Sequence, residues 1–95
     1  GSAETPPPGS ARFIVDFGGG DLDFHLKSAA VVAILASTSV GRITRTSIVP
    51  NREIGGFRAL IDIEGVPGQV SDLRAFLKSG ARVLTETWTY PWRPD

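Results

Sequence analysis

Cysteine and methionine are absent from this 95-residue chain, and histidine occurs once. The first absence excludes disulfides and thiolate metal sites, and it suits cytoplasm and periplasm alike. An excess of either charge is missing too: ten Lys and Arg balance ten Asp and Glu. These charges are interspersed, so there is no basic face of the kind that phosphate neutralisation requires, and nucleic acid is not an expected partner. No apolar run approaches the roughly 20 residues that cross a bilayer, so membrane insertion is not expected either. A persuasive helical period is likewise lacking.

What remains is a chain of the right size for one small domain, 41% hydrophobic, with short β-prone runs cut by glycine and proline. The most informative run spans residues 73–95. LRAFLK alternates as a strand, Ser79-Gly80 supplies a turn, and RVLTETWTY alternates again with β-branched and aromatic side chains, the pattern of a β-hairpin. In an unbroken strand Leu84, Glu86, Trp88 and Tyr90 share one face, and Val83, Thr85, Thr87 and Thr89 the other. Trp88, able to bury roughly 150–250 Å², is the natural centre of a small core, with Leu84 and Phe57 beside it. Glu86 needs a partner or water; Arg74 on the preceding strand is a candidate for a cross-strand pair.

Upstream, residues 1–10 (GSAETPPPGS) read as a tag remnant, Gly1-Ser2, followed by a Pro-rich linker, which leaves 11–95 as the folded domain. Phe13, Val15 and Phe17 form one face of a first strand that Gly18-Gly19-Gly20 stops. Residues 31–38 and 41–49 read as two more strands, the latter ending at a Pro50-Asn51 turn. Phe57, Ala59, Ile61 and Ile63 form the apolar face of a fourth, and Leu73, Ala75 and Leu77 that of a fifth. The expectation is an all-β, immunoglobulin-like antiparallel β-sandwich of about seven strands, with no helix.

Candidate chemistry is sparse. The triple glycine lacks the Lys-Ser/Thr of a phosphate-binding loop and the G-x-G-x-x-G spacing before a helix. Asp21, Asp23 and His25 alternate along DLDFHL, but a lone imidazole with two carboxylates reads better as a solvated strand face, with Leu22, Phe24 and Leu26 turned inward. A glycosidase needs two carboxylates roughly 5–10 Å apart, and no Asp or Glu here has a spacing that singles it out. Nor does His25 lie in a nucleophile setting. No catalytic residue, metal or cofactor is therefore assigned. Tyr90, Trp92 and Arg93 are the candidates for a contact surface, either for carbohydrate or for another domain; Trp92, between Pro91 and Arg93-Pro94, reads equally well as a packed lid.

Three stretches carry a resemblance. RFIVDFGG (residues 12–19), GFRALIDIEG (56–65) and LTETWTY (84–90) are similar, in that order, to strands of the C-terminal domain of the periplasmic glucan biosynthesis proteins, the MdoG/OpgG and OpgD family. Phe57 stands where that family's pattern suggests Trp. The resemblance implies an Ig-like domain behind a larger β-sandwich, a periplasmic location, and a role in making or trimming β-1,2-linked osmoregulated glucans. It places the catalytic or glucan-binding cleft in the larger N-terminal domain. On that reading this domain is a non-enzymatic accessory, its partners being the missing N-terminal domain, β-glucan and a membrane glucan synthase.

Overall fold

A computed structural model describes residues 8–20, 22–28 and 31–95. Most of the Pro-rich lead, and Asp21, lie outside the described residues. Seven strands form: β1 (Ser10–Phe17), β2 (Ala33–Thr38), β3 (Arg42–Asn51), β4 (Gly56–Glu64), β5 (Ser71–Ser79), β6 (Arg82–Val83) and β7 (Trp88–Trp92). All pairings are antiparallel. One sheet has the order β1-β4-β3; in the other, β5 is flanked by β2 on one side and by β6 and β7 on the other.

That connectivity is the immunoglobulin-type Greek key. With β1 as strand B, the first sheet is B-E-D and the second C-F-G. Among the described residues no strand occupies the place of strand A. The outer edges of β1 and β7 therefore lie on the same, open side of the sandwich, where Phe13 of β1 meets the rings of Trp88, Tyr90 and Trp92 at 5.4–6.2 Å.

The period-2 pattern places the core. Phe57, Ala59, Ile61 and Ile63 of β4 turn inward and are buried, as are Leu73, Ala75 and Leu77 of β5, with Val15 and Phe17 of β1 added from the edge. Leu84 and Trp88 are half-buried and pack against this cluster from its border, so its centre is aliphatic and belongs to β4 and β5. Full burial of each Ile or Leu contributes about 1.5–3 kcal/mol, which makes these two strands the main source of stability.

The outward residues of the first sheet carry charge. Arg12 pairs with Asp62 at 2.7 Å, Arg58 with Asp16 at 2.9 Å and Arg42 with Glu64 at 2.9 Å, each across neighbouring strands. Ile14 and Leu60, opposite one another, lie between the first two pairs.

Two local expectations are corrected. The expected strand is a helix: residues Leu22–Lys27 form α1, on the connection between the sheets. Leu22, His25 and Leu26 stand three and four residues apart and share its inner face, Leu22 and His25 being buried and Leu26 half-buried. Asp23 and Lys27, one turn apart, pair at 3.1 Å on the outside. Phe24 consequently points to solvent, and Asp23 is exposed while His25 is buried, so these two do not share a solvated face; Asp21, the third member of the expected row, lies outside the described residues. The second correction concerns Pro50-Asn51, which stays within β3; the turn follows as a 3-10 segment, Arg52–Ile54, closed by Gly55 at φ 61°. Proline is tolerated there because β3 is an edge strand.

Gly56 explains how tightly β1 and β4 approach. A Cβ built at Gly56 would sit 1.9 Å from the Phe17 carbonyl oxygen, which is backbone and unable to step aside. Gly19, by contrast, has φ 82° with open space around it. Gly56→Ala should therefore cost about 3 kcal/mol by forcing the strands apart, against about 1 kcal/mol for Gly19→Ala from backbone strain alone. Urea denaturation of the two variants measures the order, and a larger loss at Gly19 would contradict this packing.

Candidate functional site

The terminal hairpin is continuous on one side and broken on the other. Val83 lies opposite Lys78, and Trp88 lies opposite Ala75, so four residues, 84–87, face only two, Phe76 and Leu77. The two extra residues make a wide bulge. It is held by specific bonds: the Leu84 N–H donates to the Leu77 carbonyl at 2.8 Å, and the Leu77 N–H donates to the Thr85 hydroxyl at 3.1 Å. A side-chain oxygen thus stands where a ladder carbonyl would be, and the backbone of a fully buried residue stays paired. The slip also puts Thr89, not Glu86, opposite Arg74, so the expected cross-strand pair lacks its register.

Beside the bulge, a cleft of about 560 Å³ opens between the end of β1 and residues 84–88. Its walls are Val15, Asp16 and Phe17, the three glycines 18–20, Leu22, and the bulge with Trp88. Glu86 and Thr87 are exposed at its rim, whereas Trp88 is half-buried. Asp16 is already engaged: Arg58 donates to both its oxygens, at 2.9 and 3.2 Å, and Asn51 donates at 3.4 Å. The Arg58 hydrogen bond holds the Asp16 carboxyl below the ordinary carboxylate range, so Asp16 is an anion fixed to a cation and ill suited to shuttle a proton.

The residues singled out for contact, Tyr90, Trp92 and Arg93, fall outside this cleft. Tyr90 is 45% exposed on the open side, its ring parallel to that of Trp88 within 5° at 6.0 Å. Trp92 is half-buried, edge-on to Phe13, and covers Gly65 so closely that a Cβ there would lie 2.7 Å from its ring. Pro94 is buried nearby, and its carbonyl accepts from the Gly68 N–H at 3.1 Å. Trp92 therefore seals the end of the sandwich against the residues 65–68 turn. Arg93, one residue beyond β7, is exposed. No group of three metal-ligating side chains converges among the described residues.

Sequence reasoning passed over the cleft because it treated residues 18–20 as a chain stop and 84–90 as one unbroken strand. The available signal was the run of short polar residues Thr85-Glu86-Thr87 between two apolar stretches, where a bulge does not disturb the core.

Fold and site together define a small immunoglobulin-like sandwich domain with a bulge-bordered cleft and an aromatic open side. Comparison with known proteins is specific on its kinship. Residues 1–92 match the family "Periplasmic glucan biosynthesis protein, MdoG", and the chain belongs to that family. It is 44% identical over 88 residues to glucans biosynthesis protein D of Stenotrophomonas maltophilia, 44% over 89 residues to the probable glucans biosynthesis protein D of Shewanella oneidensis, and 42% over 91 residues to glucans biosynthesis protein D of Xanthomonas campestris. Each alignment covers 90% of this chain and 16% of the relative, so the chain spans about a sixth of the relatives' length.

Thr85→Val should leave the Leu77 N–H buried and unpaired, at a cost of about 1–3 kcal/mol, while Thr85→Ser retains the acceptor and most of the stability. Denaturation midpoints and amide exchange at Leu77 report both effects; a Val variant as stable and as protected as the native chain would contradict the role of the hydroxyl.

Proposed function

We propose that this domain is a non-catalytic accessory of a periplasmic protein of glucan biosynthesis, and that it acts by docking onto the much larger remainder of that protein. The family and the names of the relatives support the process and the periplasmic location. The chain's one-sixth share of their length supplies the occupant: the rest of the same polypeptide.

The observation that carries the docking is an exposed apolar group on the outer face of the second sheet. The first sheet carries three Arg–carboxylate pairs, whose charges prefer water, around the exposed Ile14 and Val49. On the second sheet the outward residues of β5 are Asp72, Arg74, Phe76 and Lys78, and an apolar group gathers around Phe76. Leu35 of β2, 48% exposed, lies directly opposite the half-buried Phe76 of β5, with Val83 of β6, 60% exposed, opposite Lys78 one step along. Val31, just before β2, is exposed as well. Exposed apolar groups of this kind mark interaction sites, and contact with another domain of the same chain is one such use. A synthase in the membrane is the further partner this role suggests, reached through the assembled protein.

A second reading takes the domain as a carbohydrate-binding module through Tyr90, Trp92 and Arg93. Tyr90 favours it, being exposed on the open side; the packing of Trp92 against Gly65 leaves that ring less to offer.

The docking reading is tested in the whole protein with Leu35→Arg and Val83→Arg combined. Both positions are exposed, so the isolated chain should keep its stability within about 0.5 kcal/mol. In the intact protein the same pair should uncouple this domain, splitting one thermal transition into two and opening the junction to protease. An intact variant that still unfolds in one step would refute the docking surface.

A further inference from the structure

We infer that the open edge of β1 is a self-association site, at which two copies of this chain join β1 to β1, antiparallel and about a two-fold axis. The product is one continuous sheet in the order β3-β4-β1-β1-β4-β3. The contact uses an edge and leaves the outer faces of both sheets free, so it does not depend on how the second sheet docks. Two observations carry it.

The first is that β1 is an unguarded edge. β3, at the other side of its sheet, carries Pro50 and a register shift between Ile43 and Arg45, and β7 carries Pro91. Prolines and bulges are the usual means by which an edge refuses a further strand. β1 has eight residues, no proline and an unbroken register from Ser10 to Phe17. Among the described residues its one strand partner is β4, so every second residue of β1 turns its N–H and C=O toward the open side. β2 is unguarded as well, but it has no charged side chain to set a register.

The second observation is that β1 complements itself. Arg12, Ile14 and Asp16 are its exposed residues, and they share the outward face. With Ile14 on the two-fold axis, Arg12 faces Asp16 of the second copy, and Phe13 faces Val15 on the inner side. β4 extends the pattern, because Arg12 lies opposite Asp62, Ile14 opposite Leu60 and Asp16 opposite Arg58. Each charged row of the joined sheet then reads Asp62, Arg12, Asp16, Arg58, alternating in sign, and the row between reads Leu60, Ile14, Ile14, Leu60. Arg12 and Asp16 remain 50% and 41% exposed within their own pairs, which leaves each open to a second partner. Other registers lose this match: centred on Arg12 or Asp16 they oppose like charges, and centred on Phe13 or Val15 they set Ile14 against a charge. An eight-residue edge is a small contact, so the dimer is weak and concentration-dependent.

Sedimentation of the chain from micromolar to millimolar concentration tests the association, which should be reversible. Arg12→Glu and Asp16→Arg should each weaken it roughly tenfold, since symmetry makes two like-charge contacts from either change. An equimolar mixture of the two variants should associate again, because the reversed residues then face opposite charges across the axis; loss of fold would not be repaired by mixing. The chain has no cysteine, so one introduced thiol reports one position. Opposed Cα atoms of an antiparallel pair lie about 4.5–5.5 Å apart, within disulfide reach. Ile14→Cys should therefore oxidise to a covalent dimer at least tenfold faster than Val83→Cys, the two native side chains being 62% and 60% exposed. The inference is overturned by a chain that stays monomeric at millimolar concentration, by single reversals that leave association unchanged, by a mixture that fails to restore it, or by cross-linking at position 83 as fast as at position 14.

Discussion

Everything in this domain depends on the apolar contact between the inner faces of β4 and β5. These are the central strands of their sheets, and every other strand is hydrogen-bonded to one of them. Ala59, Ile61, Ala75 and Leu77 are buried almost completely within one cluster. The two alanines let the sheets approach closely, while the longer aliphatic chains fill the space between. Because a one-residue slip in either strand would turn its apolar set outward, this contact also fixes the register of the edges.

The strands were legible in the sequence where one face had to be apolar and the other did not. Phe57, Ala59, Ile61 and Ile63 announce β4, and Leu73, Ala75 and Leu77 announce β5, because alternation is a direct consequence of being covered on one side. The helix was hidden because DLDFHL satisfies two periods at once: Leu22, Phe24 and Leu26 alternate, but Leu22, His25 and Leu26 also share a helical face. Tertiary packing decided for the second, burying a histidine and exposing a phenylalanine. Among the aromatic residues the sequence could not set depth. The centre went to aliphatic side chains, and Trp88, Tyr90 and Trp92 line the open side, where the described residues hold no strand A.

The cleft was illegible for a related reason. A bulge changes no residue type; it changes which residues oppose one another, and only the pairing of Lys78 with Val83 against that of Ala75 with Trp88 reveals it. Its presence beside the glycine run places the domain's adaptable surface at one end of a rigid frame, the usual division of labour in sandwiches.

The central claim is that the second sheet's outer face meets the rest of a glucan biosynthesis protein. It is tested most directly by comparing amide exchange in the isolated chain and in the intact protein. Docking through this face should slow exchange in the intact protein at residues 31–37, 76 and 82–83, with little change along Arg12, Asp62 and Glu64. Equal exchange at the apolar face, or protection confined to the ion-paired face, would contradict it.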